Sequence, residues 1–402
     1  MIAAVSVLTA LMVCAACSAS SDTPAPTTQT PAAYTVTIAD CANGKVTASP
    51  TSVAEGDTVM ISISSDKGYE LDTIGAAAGD NAVPLNGTGN ARTFKMPAGN
   101  VTVTAVFKSS PAGFVKVLGG TVIGSDKFKD GQGHTGVFVA GRAVTLSSFY
   151  MCDHEVTQKE WAAVMGNTQA DLIAAANSLD SGNDRGKGDN NPVYYVNWFH
   201  AIAYCNKLSI KEGFDPCYSV SGVADWAGLG FASIPASEHD AEYKAWSSAT
   251  CNISANGYRL PTDAEWDYAA RGGAEGCALP NPNRCAGTDD ISSLGIYAWY
   301  YSNSNEKTQE VKKKEANELN LFDMTGNVCE WCWDVIADPT SGDGGQSSVT
   351  DPLGGSSPDG WRVYHGGSWN NRKNECNIAH RDCISPDTSQ STVGFRVVRK
   401  AN

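Results

Sequence analysis

The sequence predicts an α+β protein in which a small all-β domain precedes a larger domain of few helices and short strands set in long irregular loops. Between residues 34 and 108, apolar and polar residues alternate in short runs separated by turn chemistry, the period of half-buried strands. From residue 111 to 400, three helix starts are marked by capping residues, while Gly and Pro punctuate nearly everything else. A length of 402 residues suits two folded units plus connecting chain, and 42% hydrophobic against 18% charged residues argues for a globular rather than a disordered chain.

The order of elements begins with an export signal. Ile2 to Ala16 are almost wholly small or apolar, too short a run to span a bilayer comfortably but suited to the apolar region of a signal peptide. Small residues before Cys17 and the polar run after it resemble a bacterial lipoprotein processing site, which makes residues 1–17 the leader and Cys17 the lipidated residue. A plain secretory signal with an incidental Cys is the alternative. Residues 18–33 are Ser, Thr, Ala and Pro with no apolar period, so they read as a flexible linker.

Strands follow at Tyr34–Ile38, Lys45–Ala48, Thr58–Ile63, Arg92–Lys95 and Val101–Phe107. Asn43-Gly44, Glu55-Gly56-Asp57 and Asn86-Gly87 supply the turns between them. Gly44 to Pro50, Gly56 to Val59 and Met96 to Phe107 are similar to the pieces of a divergent bacterial surface repeat, and the resemblance implies a stalk or spacer.

In the larger domain, Thr157-Gln-Lys-Glu160 and Thr262-Asp-Ala-Glu265 are capping boxes, each followed by a Trp. Asn197 is a third N-cap, before Trp198-Phe-His-Ala-Ile-Ala-Tyr-Cys205. Five blocks then occur in order: Glu155–Trp161, Asn191–Trp198, Gly257–Trp266, Asp323–Trp331, and Gly366–Trp369 with Gly394–Arg396. Together they resemble the formylglycine-generating-enzyme/sulfatase-modifying-factor domain, a branch of the C-type lectin fold. The resemblance implies a core with low regular secondary structure whose C-terminal segment supplies strands and exposed loop.

That fold hosts oxidases and pure binders alike. The oxidases resemble one another in a Cys-His-x-Ser-Tyr-Cys segment shortly after Gly-Gly-Ser, where two thiols hold copper. Here Asn371 takes the first thiol's place and Cys376 alone remains, so no copper is expected. Thirteen cysteines in an exported chain favour disulfides. Cys277 and Cys285 are the easiest local pair, and Cys205 with Cys376 is a second by family analogy. The resemblance also implies a Ca²⁺ loop using Asp323 and Glu330 side chains with the Gly326 and Val328 carbonyls. A metal-free turn capped by Glu330 is the alternative.

The stretch from Arg362 to Arg399 is the most informative. A frame of Val363, Gly366–Trp369, Cys376, Ala379, Arg381, Pro386 and Val393–Arg396 alternates with Tyr364, Asn370, Asn371, Arg372, Asn374, His380, Asp382, Cys383, Ile384, Ser385, Thr388, Ser391 and Thr392. These interspersed residues resemble the variable region, here 362–399, of the variable proteins of diversity-generating retroelements. Adenine-only mutagenesis of an Asn codon reaches all of their residue types and never Lys, Glu, Gln, Met or Trp. Lys373, Glu375 and Gln390 break the rule and are expected to be fixed. An ordinary polar surface loop would use many of the same residues.

A net charge of −14 disfavours nucleic-acid binding, and no apolar run beyond the N-terminus could span a membrane. Two readings remain. One is a non-enzymatic, lipid-anchored receptor or adhesin, monomeric, at the bacterial cell surface or outer membrane, binding a protein or glycan. The other is an exported formylglycine-generating-like oxidase acting on protein cysteine.

Overall fold

A computed structural model describes residues 32–401 apart from 67, 88–89, 130–135, 177–182, 281, 283, 338–344 and 356–359. The expected leader and Cys17 lie outside the described residues. By internal contact the chain divides into two units. The first takes the described residues up to Asp40 with Val46–Ser62 and Ile74–Ala105; the second takes Cys41–Lys45, Ile63–Thr73 and everything from Val106.

All five expected strands of the N-terminal region form. Ala33–Ile38 lies between Ser52–Ala54 and Val101–Ser109 in a five-stranded sheet, and Gly44–Ser49, Thr58–Ser65 and Ala91–Lys95 make a three-stranded one. Alternation decides which side chains are inside: in Thr58–Ser65 every second residue, Val59, Ile61 and Ile63, is buried while its neighbours are exposed. Asn43 and Gly56 take positive φ at the turns, as Asn and Gly do most readily. Three strands were not anticipated: Ser52–Ala54, the ten-residue Tyr69–Ala78 and the two-residue Asn81–Ala82.

The three capped helices of the second unit run Gln158–Met165, Trp198–Lys211 and Asp263–Ala270. Thr157, Asn197 and Thr262 each accept the N3 amide, and the N3 side chain returns to the cap's own amide. A further box, Thr168 with Asp171, starts Gln169–Ala175. Around the helices lie short sheets. One has the order Tyr258–Arg259, Val398–Lys400, Phe149–Cys152, Phe114–Val117. Another has the order Asp382–Ile384, Arg362–His365, Cys329–Val335, Val393–Gly394. Aromatic rings fill the core: Trp161 stacks on Tyr204 at 5.8 Å, and Trp198 and Tyr218 both meet Trp333, at 5.2 and 5.1 Å. Among the described residues no helix is long and apolar enough to cross a membrane.

Candidate functional site

The C-terminal segment is held by its backbone and its frame residues. Gly366 and Gly367 have positive φ, and a Cβ on Gly367 would stand 2.8 Å from the Cys376 Sγ, so only glycine fits that approach. Trp369 is buried. Its indole N–H donates to the Ser391 carbonyl at 3.0 Å and its amide to the Asn327 carbonyl at 2.8 Å. Downstream, the amides of Trp198, Tyr195 and Cys329 donate to the carbonyls of Pro386, Gln390 and Thr392 at 2.8–3.0 Å. These bonds use main-chain oxygens, so they do not depend on which side chains the segment carries.

Arg381 ties the frame to a helix. Its Nε donates to Asp263 Oδ2 at 2.7 Å, while His365 Nε2 meets Asp263 Oδ1 at 2.7 Å and stacks on Trp266 at 4.6 Å. Although burial opposes it, the Arg381 and His365 partners hold the Asp263 carboxyl below its ordinary range. Asp334, which accepts from the Asp263 amide, is pushed up by burial and by the Asp263 charge.

Over this frame the thirteen candidate ligand-binding side chains separate into three classes. Asn370, Arg372, Asn374 and Asp382 are exposed. Tyr364, Asn371, His380, Cys383, Ile384, Ser385, Thr388 and Thr392 are half-buried. Ser391 is a correction: it is buried at 3% exposure under the Trp369 indole and belongs to the frame. Asn371 is half-committed as well, because its Oδ1 accepts from the Ser368 amide and hydroxyl at 3.0 and 2.6 Å and shapes the turn. Antiparallel pairing sets Tyr364 opposite Asp382, and Tyr364 packs edge-on against Trp331 at 5.9 Å.

Two exposed aromatics beside this region had not been singled out. Tyr301, 55% exposed, donates its amide to the Asn371 carbonyl at 2.9 Å, and Trp361, 47% exposed, immediately precedes the strand Arg362–His365. Large apolar residues in otherwise polar loop sequence were the available signal.

The expected cation loop is not arranged as its sequence implied. Glu330 is fully buried and both of its oxygens are used: Arg396 donates to Oε1 and Oε2 at 2.6 Å, and the Trp266 indole donates to Oε2 at 2.7 Å. The guanidinium stands where a cation's charge would be needed, so Glu330 does not fit a Ca²⁺ ligand. Asp323 retains one buried oxygen, Oδ1, without a hydrogen-bond partner, while Oδ2 accepts the Lys312 amide at 2.8 Å. Burial pushes its carboxyl up to about 6, and Glu330 adds to the rise.

The two expected disulfides are not formed; all described cysteines are free thiols. Cys277 packs with Trp266 and Tyr268 in one apolar cluster, Cys285 with Cys376 and Leu294 in another, and Cys205 lies in the main core. The Cys285 thiol donates to the Cys376 carbonyl at 3.0 Å, and burial pushes the Cys285 thiol up to about 12. A buried thiol raised in this way is a poor nucleophile at neutral pH.

Residues 100–401 match the sulfatase-modifying factor enzyme 1-like domain. The chain belongs to this family. Residues 34–111 match the divergent InlB B-repeat domain. Among solved structures, this family member is similar to Treponema denticola variable protein 1, with 36% identity and a TM-score of 0.58 over 72% of this chain and 95% of that one. It is also similar to the chaperone protein LppX of Paenibacillus barcinonensis, 32% identical over 273 residues, 64% of this chain and 81% of that protein. The formylglycine-generating enzyme of Streptomyces coelicolor is 34% identical over 178 residues, 41% of this chain and 54% of the enzyme, so the match spans about half of that enzyme.

Proposed function

We propose that this family member is a receptor or adhesin, lipid-anchored through Cys17 at a bacterial surface, that binds a protein or glycan with the exposed side chains of its C-terminal segment. The observation that carries the reading is the separation of roles along one stretch of chain. Asn370, Arg372, Asn374 and Asp382 are exposed, while Trp369, Cys376, Ile378, Phe395 and Arg396 are buried and main-chain bonds fix the segment. A face whose contact residues are exposed, while buried residues and main-chain bonds hold the segment, can change its specificity without unfolding. Likeness to a variable protein over nearly all of that protein's length supports the same reading.

The oxidase alternative rests on likeness to the formylglycine-generating enzyme and lacks the first thiol of the pair, Asn371 standing in its place. A display library tests the proposal: codons 370, 372, 374 and 382 are randomised and the library is selected against a model protein such as lysozyme. Most clones should remain folded and displayed, with binders differing from the parent only at those positions. Collapse of display across the library contradicts the reading. Oxygen uptake with a Cys-containing peptide and supplied Cu(I) would favour the oxidase instead.

A further inference from the structure

Three consecutive residues at the end of the strand Phe149–Cys152 carry three different metal-binding atoms. A bend after the strand turns Cys152, Asp153 and His154 together, so that a thiol sulfur, a carboxylate oxygen and an imidazole nitrogen all lie within 4.8 Å of one another. Main-chain bonds fix the bend: the Cys152 amide donates to Val397 at 2.9 Å, the Asp153 amide to Gly113 at 2.8 Å, and the Phe322 amide to the Asp153 carbonyl at 2.8 Å. We propose that Cys152, Asp153 and His154 form a binding site for a borderline-soft divalent cation of the zinc type, with the imidazole Nδ1 as the nitrogen ligand.

The distances suit that role. Cys152 Sγ stands 3.7 Å from His154 Nδ1. Tetrahedral ligands at the usual Zn–S and Zn–N lengths are about 3.6 Å apart. His154 Nδ1 and Asp153 Oδ1 are 2.5 Å apart, bridged by one proton. A cation takes the place of that proton and of the Cys152 thiol proton, both released to solvent on binding, and the His154–Asp153 pair opens by roughly 0.8 Å to reach ordinary tetrahedral spacing. A sulfur–nitrogen–oxygen set selects zinc-like ions over Ca²⁺ and Mg²⁺, which take oxygen ligands.

Atoms that do not face the cation are already engaged. His154 Nε2 meets Glu160 Oε1 at 3.2 Å, and Glu160 Oε2 is held at 2.8 Å by both the amide and the hydroxyl of Thr157. A carboxylate on the far ring nitrogen is the arrangement that orients a metal-binding histidine and raises its basicity. Asp153 Oδ2 is likewise held by Lys312 Nζ at 2.7 Å. The His154 and Asp153 side chains keep 13% and 17% of their surface exposed, which leaves a path for the ion and a fourth position for water. The capping box of the helix Gln158–Met165 thus serves a second purpose, placing the residue that orients His154.

Titration of the metal-free, phosphine-reduced full chain with Co(II), followed by displacement with Zn(II), tests this. The expected result is one equivalent bound, with tetrahedral visible bands and a thiolate-to-cobalt charge-transfer band, both lost on adding zinc. Cys152→Ser should abolish the charge-transfer band. His154→Gln should abolish binding, and Glu160→Gln should weaken it roughly tenfold while keeping the spectrum. If Cys152→Ser fails to fold, His154→Gln decides alone. No charge-transfer band in the parent, or a band that survives Cys152→Ser or His154→Gln unchanged, overturns the proposal.

Discussion

Asp323 shows what a single residue tells about the region around it. Its carboxyl is 2% exposed, one oxygen lacks a hydrogen-bond partner, and its φ of 54° lies in the left-handed region that Asn also tolerates. With a folded-state value of about 6 against an ordinary 3.8, the native state binds a proton between these limits that the unfolded chain does not. This acid's contribution to stability therefore falls as pH rises from about 4 to about 6 and is level above. Asp323→Asn removes that dependence and can still accept the Lys312 amide. The variant should gain on the parent between pH 4.5 and 7.5, by at most about 2 kcal/mol. Melting curves at the two pH values check this, and an equal offset at both contradicts it. Residue types alone could not reveal this chemistry. Asp323 and Glu330 read as ligands because they stand at the positions of the family's Ca²⁺ loop, but Arg396, far along the chain, takes both oxygens of Glu330. Ser391 read as a surface serine because nothing local places the Trp369 indole over it.

Elements were legible where local chemistry fixes them. All three anticipated N-caps accept the N3 amide as expected, since that geometry needs only four consecutive residues. The strand Tyr69–Ala78 was missed because Leu71-Asp-Thr-Ile-Gly-Ala-Ala-Ala has neither period; its pairing partners, not its pattern, make it a strand. The helix Gln169–Ala175 was missed because its box closes with Asp171 rather than Glu or Gln. The cap at Thr262 lies in a buried ion pair, where Arg259 donates to both Glu265 oxygens at 2.6 and 2.7 Å. Thr262→Ala should cost about 1 kcal/mol, the ordinary value of a lost cap. Glu265→Ala should cost about 3–5 kcal/mol, because it strands a buried guanidinium. Denaturant unfolding of the two variants separates these figures, and equal losses would show that the ion pair contributes nothing beyond the cap.

For the whole molecule, family membership and the C-terminal frame were legible from ordered motifs, while the division of that segment into exposed and buried side chains needed the fold. Location makes a separate claim at this scale: Cys17→Ser should move the protein from membrane to soluble fractions, and continued membrane association would refute the anchor. The central claim is that the binding face is energetically separate from its support. The measurement that tests it most directly is thermal unfolding of a variant with Asn370, Arg372, Asn374 and Asp382 all changed to Ala, beside Trp369→Ala. Exposed substitutions cost within about 0.5 kcal/mol each, whereas removing a buried indole costs about 3–5 kcal/mol. The account predicts that the fourfold variant melts within a few degrees of the parent while Trp369→Ala melts far lower. A fourfold variant that unfolds with Trp369→Ala, or before it, would contradict the account.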